Sequence, residues 1–342
     1  MGNIGIHSQK EQRFICHACH KTFSATTGTA FYRLRTAAET VSLVVTLLAH
    51  GCPVQAIVAA FGFDERTIAA WWARSGRQGQ AVHESLVEQP RDLGQVQADE
   101  RRVKKQGGIV WMAMAMMVRT RLWLGGEVSA QRDLPLIRRL IARVRRCAAH
   151  RPLLVCTDGL VSSIRAIRET FRDPVYTGTG GRPRLRPWRH IFIAQVIKRY
   201  ERRRVVATDR RIVDGAPARI ETLRRRSQGG GVINTADIER LNATFRARLA
   251  PLARRGRALA RQTLTLHEGM FVVGTVSNFC TPHESLRTVQ KTTPAMAAGI
   301  TDHCWTMQEL LAFPVPLPRW APPKPRGRPS RALQRLIARW CS

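Results

Sequence analysis

Acidic residues and lysine are both scarce in this chain. Its 342 residues include 24 aspartates and glutamates against 56 lysines and arginines, and only seven of those 56 are lysines. The formal net charge is therefore +32. Arginine pairs bidentately with phosphate, and an excess this large is typical of proteins that bind a polyanion. The charge argues against an enzyme of small metabolites that has no nucleic acid partner, and the hydrophobic content of 44% argues against a disordered basic tail protein.

Long hydrophobic runs are also missing. The longest, residues 109–118, is ten residues long, well short of the roughly 18–20 that a membrane helix needs, and it predicts a buried strand. The N-terminus lacks a secretory signal pattern, with an arginine-rich transit peptide as the weaker alternative. Eight scattered cysteines are expected to be reduced thiols. These features predict a cytoplasmic, nucleoid-associated protein with no membrane partner.

The first 35 residues contain one Cys-x-x-Cys pair, Cys16 and Cys19, within FICHACHKTFS. Two thiolates on a tight turn resemble one knuckle of a zinc ribbon, but a closed tetrahedral site needs two more ligands. No second pair precedes this one, and His7, His17 and His20 are the possible substitutes. The alternative is a truncated half-site that binds no Zn²⁺.

Residues 36–85 have the apolar spacing of three helices. The segment TAAETVSLVVTLLAHG places apolar residues at i, i+3, i+4 and i+7, PVQAIVAAF forms a second helix, and Asp64 is a good N-cap for a third, ERTIAAWWARSG. Two short helices around a glycine-containing turn outline a helix-turn-helix, with Arg66, Thr67 and Arg74 exposed on the DNA-reading helix. An ordinary helical hairpin is the alternative.

From residue 96 the pattern alternates between strands and helices. Three strand candidates, a basic amphipathic helix, the apolar strand PLLVCTDG, a helix at 162–171 and the strand HIFIAQVIK predict an α/β sandwich around a mixed sheet. The arginine- and glycine-rich residues 201–232 are expected to be a mobile loop or an insertion, and NTADIERLNATFRARL to be a helix capped by Asn234. The expected divisions are 1–35 (ribbon-like), 36–85 (helix-turn-helix), 86–95 (linker), 96–285 (catalytic domain) and 286–342 (basic, proline-rich tail).

Three carboxylates stand out by position. Asp99 ends a short alternating strand pattern, Asp158 ends the apolar strand, and Glu239 lies on the second turn of the late helix. Acids at the carboxyl ends of strands lie where α/β proteins keep their sites. Three converging acids would hold two Mg²⁺ (or Mn²⁺) ions about 4 Å apart, a pair that suits phosphoryl chemistry. Taken singly, each acid has a simpler interpretation as an ion-pair partner, a turn residue or a helix N-terminal charge.

The constellation QADE…CTDG…IERLNATFRARLAPLARRGRALARQ resembles the insertion-sequence transposases of the DDE class. The run FCTPHESLR…TPAMAAGITD, residues 279–302, resembles the tail common in these proteins, and the likeness covers roughly residues 10–305. It implies a ribonuclease H-like fold whose catalytic, metal-binding acids are Asp99, Asp158 and Glu239. It also implies strand cleavage at element ends, strand transfer into target DNA, and a homo-oligomer on double-stranded DNA. This chain departs from the family at the front, where the family has two cysteine pairs.

Arginines are expected to hold the DNA backbone. On the late helix and the preceding and following segments these are Arg224, Arg225, Arg226, Arg246, Arg254 and Arg255. In the tail, Arg326 and Arg328 belong to a Pro-Arg-Gly-Arg-Pro run that matches the core of an AT-hook, which lies in the narrow minor groove of A·T-rich DNA. A disordered basic linker is the alternative for the tail.

Two other classes of function stay open at the level of sequence. One is a non-catalytic DNA-binding regulator that uses the helix-turn-helix alone, although nearly 200 residues of strand-bearing core argue against it. The other is a decayed transposase that binds DNA without cutting it. Divalent-metal-dependent nicking separates both from an active transposase.

Overall fold

The computed structural model describes residues 3–176, 182–202, 204–252, 262–286, 291–315 and 331–340. The chain starts with a small antiparallel sheet of β1 (Ile4–Ser8), β2 (Arg13–Cys16) and β3 (Thr22–Ser24). Three helices follow: α1 (Ala38–Ala49), α2 (Val54–Phe61) and α3 (Glu65–Val82). Asp64 caps α3 as predicted, because its side chain accepts a hydrogen bond from the Arg66 backbone N–H at 2.8 Å.

A six-stranded mixed sheet forms the centre of the protein. Its strands are β4 (Gln95–Lys105), β5 (Gly108–Met117), β6 (Trp123–Ser129), β7 (Leu153–Thr157), β10 (Ile191–Glu201) and β11 (Arg204–Asp214). The spatial order is β11-β10-β7-β4-β5-β6. Strands β4, β5 and β6 form an antiparallel meander. β7 runs parallel to β4, β10 runs parallel to β7, and β11 is antiparallel to β10. This arrangement is consistent with the ribonuclease H-like fold that the resemblance implies.

Helices cover both faces of the sheet. The remaining elements are α4 (Leu134–Cys147), α5 (Val161–Thr170), the strand pair β8 (Arg172–Val175) and β9 (Arg184–Pro187), α6 (Pro217–Gln228), α7 (Ala236–Arg248), α8 (Thr263–Thr275), α9 (Pro294–Ala297), α10 (Met307–Ala312) and α11 (Arg331–Trp340). Helices α4 and α5 pack on one face, and α6, α7 and α8 pack on the other. None of the helices in the described part of the chain has the length and apolar content needed to cross a membrane.

Residues on both sides of the expected linker share one apolar core. Val44 of α1, Ile68 of α3, Val96 of β4 and Leu311 of α10 belong to the same buried cluster. Segment 86–95 is also packed rather than free: a π-helical turn, His83–Val87, extends α3, and Val87 and Leu93 are buried. Residues 294–312, expected to lie in the tail, pack through α9 and α10 onto this same core.

Of the two expectations for residues 201–232, the mobile loop is wrong. Strand β11 occupies 204–214 and helix α6 occupies 217–228. Both elements are rich in arginine, and little of either is buried. β11 is largely exposed, and α6 buries only Ile220, Leu223 and Arg224. A one-sided apolar pattern of two or three residues is too short to predict a helix.

Candidate active site

Two carboxylates meet at one edge of the central sheet. Strands β4 and β7 pair in parallel with Gln97 opposite Cys156, and continuing this register by two residues brings Asp99 beside Asp158. Both acids therefore lie at the carboxyl ends of adjacent parallel strands, where α/β sheets place ligands. They line a cleft of about 600 Å³ together with Glu239 from α7. The cleft thus contains all three acids that the sequence singled out.

The acids differ in what surrounds them. Asp99 Oδ2 accepts a hydrogen bond from Asn242 Nδ2 at 2.7 Å, and Asp99 Oδ1 accepts one from the Glu100 backbone N–H at 2.9 Å. Asp158 Oδ1 accepts from the Leu160 backbone N–H at 3.0 Å. Glu239 is engaged by Lys198 Nζ and by Thr235 Oγ1, the latter at 2.8 Å. Glu239 therefore lines the cleft, but its carboxylate is paired with the basic side chain of Lys198.

Glu100 is a fourth acid at this edge, and the sequence motif did not single it out. Ligand oxygens of Asp99, Glu100 and Asp158 all lie within 4.8 Å of one another, and this is the one group of three metal-ligating side chains in the residues that the structure describes. Arg132 joins two of them, since its guanidinium lies 3.1 Å from Glu100 Oε2 and 2.8 Å from Asp158 Oδ2. The structure therefore places Glu100 closer to the Asp99–Asp158 pair than Glu239.

Burial, reinforced by a neighbouring negative charge, raises the pKa of two of these carboxyl groups, Asp99 and Glu100. Burial, with a further contribution from the Asp158 charge, raises the pKa of Asp99 to about 6. Burial and the same Asp158 charge raise the pKa of Glu100 to about 7, against the opposing effect of Arg132. Carboxylates that resist ionisation in this way are typical of sites that bind a cation or transfer a proton.

A buried glutamine fixes the helix that carries Glu239. Gln97 of β4 is fully buried; its Oε1 accepts from the Ile238 backbone N–H and its Nε2 donates to the Asn234 backbone carbonyl, both at 2.9 Å. These bonds tie the first turn of α7 to the sheet. Lone polar residues at 95 and 97 within a buried strand were the sequence signal that could have indicated this role.

The cleft is also lined by basic side chains. Four cationic side chains line it: Arg101, Arg132, Lys198 and Arg246. Of the arginines predicted to hold DNA, Arg246 is therefore beside the acids. Arg224, Arg225 and Arg226 lie instead near the opposite end of the sheet, where Arg226 lines a separate cleft with Pro152.

Two predicted DNA-contacting arginines are not exposed in the structure. Arg224 is 5% exposed, and its guanidinium forms an ion pair with Glu221 at 2.7 Å. Arg74 is half-buried and donates to the backbone carbonyls of Tyr32 and Ala30, so the prediction that it is exposed is wrong. On the same helix, Arg66 is exposed as predicted, whereas Thr67 is half-buried, so the prediction that Thr67 is exposed is also wrong. Arg254, Arg255, Arg326 and Arg328 lie outside the described residues.

The cysteine pair forms a turn without a completed metal site. Cys16 ends β2, and the backbone N–H groups of Cys19 and Ala18 point at its sulfur, which lowers the pKa of the Cys16 thiol. Within the described ranges, no group of three metal-ligating side chains includes either cysteine. The N-terminal sheet thus presents two of the four ligands that a structural zinc ion needs.

Comparison with known proteins gives only distant structural likeness. No protein-family model matches the chain, and no curated protein matches it. Among solved structures, the chain is similar to the cryo-EM structure of a piggyBac transposase synaptic complex with hairpin DNA, with a TM-score of 0.37 and 9% sequence identity. The alignment covers 92% of this chain and 78% of that one. At this identity no residue role carries over from that protein.

Proposed function

We propose that this chain is a DNA transposase that cleaves phosphodiester bonds at element ends and transfers the freed strand to target DNA. The observation that carries the proposal is the pairing of Asp99 with Asp158 at the end of two parallel strands, in a cleft that Glu239 also lines. A cleft lined by both carboxylates and cationic side chains suits a phosphodiester substrate, because the cations bind backbone phosphates while the carboxylates bind metal ions.

The donor set fits Mg²⁺ or Mn²⁺. It consists of carboxylate oxygens, which hard divalent cations prefer, and it lacks the thiolate or imidazole ligands that favour zinc or copper. Asp99 and Asp158 would hold the metals, with Glu100 or Glu239 completing the set. A pair of such ions, when bound, activates the attacking oxygen and neutralises the leaving one.

The other residues of the cleft position the acids and the DNA. Asn242 orients Asp99 through its 2.7 Å hydrogen bond, and Arg132 holds Glu100 and Asp158 together. Lys198 and Arg246 line the cleft, where they would contact phosphates on either side of the scissile bond. Because Arg132 and Lys198 each pair with an acid, metal binding requires these cations to move toward the DNA.

Several parts of the chain outside the cleft belong to the same proposal. Helices α2 and α3 are proposed as a helix-turn-helix that contacts DNA through Arg66 and Thr67. Arg225 and Arg226, at the other end of the sheet, and the arginines at 254 and 255 would add sequence-independent contacts. The arginines at 326 and 328 are proposed as an AT-hook in the minor groove of A·T-rich DNA. The proposal also includes assembly as a homo-oligomer on DNA, a cytoplasmic location, and weak or no Zn²⁺ binding by Cys16 and Cys19.

The test is metal-dependent nicking of supercoiled plasmid DNA carrying the flanking sequence of the coding region. We expect nicking by the wild-type chain with Mg²⁺ or Mn²⁺ and none with EDTA. Asp158→Asn removes a ligand charge, and its nicking rate should fall about 10²–10⁴-fold, since each 1.4 kcal/mol of lost transition-state stabilisation is tenfold in rate. DNA binding should persist, because the arginines supply the affinity.

The control is Asp302→Asn, which removes the same charge from an acid whose side chain is 95% exposed and lies outside the cleft. This variant should nick like the wild type. Wild-type protein that binds DNA but never nicks it would favour a decayed transposase or a regulator. An Asp158→Asn variant that still nicks would overturn the assignment of the acids.

A further inference from the structure

Strands β10 and β11 form a two-stranded ribbon that extends beyond the end of the neighbouring strand β7. β10 pairs with β7 only from Ile191 to Gln195, whereas β10 and β11 remain paired as far as Glu201 and Arg204. Residues 196–201 thus continue past the end of β7, a length of about 20 Å at 3.4 Å per residue. They project from the same edge of the sheet at which Asp158 follows β7.

The outer half of this ribbon is exposed on both strands. Arg199, Arg202 and Arg204 are exposed, and Val205 and Val206 are 50% and 53% exposed. Residues 198–211 include seven basic and two acidic residues. A two-stranded ribbon gains little stability by itself in water, so a basic ribbon with apolar side chains near its tip is built to contact a partner.

The base of the ribbon belongs to the candidate active site. Val196, Ile197 and Lys198 line the cleft, and Lys198 forms an ion pair with Glu239. A polyanion bound along the ribbon would therefore lead directly to the carboxylates. Addition of a strand from a second copy of the chain is disfavoured, because charged residues at 204, 209, 210 and 211 protect the outer edge of β11.

We propose, building on the function proposed above, that the ribbon of residues 196–211 inserts into the major groove of the duplex that the cleft cleaves. The major groove is about 12 Å wide and admits a two-stranded β-ribbon, whereas the minor groove, at about 6 Å, does not. Arginines at the sides of the ribbon bind phosphates of both strands. Val205 and Val206 point to opposite faces of the ribbon, so one of them meets base edges such as thymine methyl groups. The ribbon thereby sets which phosphodiester bond lies over Asp158.

The test measures binding to a short mixed-sequence duplex in EDTA, where no cleavage occurs. Arg202→Ala/Arg204→Ala should reduce the slope of log affinity against log salt by about 2, or one unit per lost phosphate contact. Arg202→Lys/Arg204→Lys should restore most of it. The matched control is Arg138→Ala/Arg165→Ala, which removes two arginines that pair with Glu169 away from the cleft.

Methylation protection identifies the groove. In the Asp158→Asn background the ribbon should protect guanine N7, which lies in the major groove, and the double alanine variant should lose that protection while the control keeps it. Protection confined to adenine N3 of the minor groove, or an unchanged salt slope, would overturn the proposal. Ribbon-dependent protection by a wild-type chain that never nicks would leave the ribbon assignment standing and refute the proposed activity.

Discussion

Asp99 and Glu100 are neighbours in β4 and reach the same edge of the sheet from opposite faces. Side chains alternate along a strand, so Asp99 faces Asn242 of α7 while Glu100 faces Arg132. Asp158 lies just beyond the end of β7, and ligand oxygens of all three acids come within 4.8 Å of one another. Motif order takes one acid from this strand and therefore predicts Asp99 alone, whereas the convergence of Glu100 with the pair depends on the tertiary structure.

His83 gives a residue-scale prediction about pH. It is fully buried against the rings of Trp123 and Phe271, and burial lowers its pKa from 6.5 to about 3. Below pH 6.5 His83 becomes protonated in the unfolded chain, whereas in the folded chain it stays neutral down to about pH 3. The free energy of unfolding should therefore fall as pH decreases through this window, by at most about 1.4 kcal/mol per pH unit from this group.

Urea unfolding at several pH values between 4 and 8 checks this prediction. His83→Phe keeps a ring in the site and removes the proton, so its free energy of unfolding should depend less steeply on pH than that of the wild type. His7→Phe, at an exposed position, serves as the control and should follow the wild type. Parallel pH profiles for wild type and His83→Phe would show that His83 does not contribute.

At the scale of elements, the sequence predicts those whose buried face is apolar and periodic. Strands β4, β5, β6, β7 and β10 and helices α4, α5 and α7 lie close to their predicted positions. Strand β11 and helix α6 were missed because arginine covers their exposed faces. Helix α3 ends later than predicted because Gly76 and Gly79, which weaken a helix in isolation, face α8 and allow close packing.

Close packing of α3 on α8 predicts that Gly76 cannot be replaced without cost. A Cβ at Gly76 would lie 2.5 Å from Glu268 Cβ and 2.7 Å from the Glu268 carbonyl oxygen. Gly76→Ala gains about 1 kcal/mol of helix propensity but overpacks the interface, so we expect a net loss of about 1–2 kcal/mol. The decrease in the midpoint of thermal unfolding relative to the wild type measures this loss of stability.

Gly230→Ala is the control for this substitution, because no atom lies within 4 Å of the added Cβ and its φ is not in the left-handed region. Its midpoint of unfolding should stay near the wild-type value. A Gly76→Ala variant as stable as the wild type would mean that the two helices separate slightly at no cost. The predicted dependence of α3 on α8 would then fail.

At the scale of the whole molecule, charge is divided between ion pairs and open surface. Arg143, 7% exposed, pairs with Glu88 and Glu127, and Arg146 also pairs with Glu88. With 24 acids for 56 basic residues, most cations cannot be paired in this way. The sequence therefore predicts a polyanion-binding protein from composition alone, whereas the location of each arginine, such as Arg224 beside Glu221, depends on tertiary packing.

This charge makes stability and DNA affinity respond to salt in opposite directions. A net charge of +32 repels itself in the compact state, and raising ionic strength from about 0.01 M to 0.15 M shortens the Debye length from about 30 Å to about 8 Å. The melting temperature of the free protein should therefore rise over this range in sodium chloride. DNA affinity should fall over the same range, because each neutralised phosphate releases counterions.

Thermal unfolding and DNA binding measured in the same buffers, without sulfate or phosphate that would bind as anions, give both trends. A melting temperature that fell with salt would mean that the native ion pairs around Glu88 and Glu127 are screened more strongly than the net repulsion, contrary to their burial.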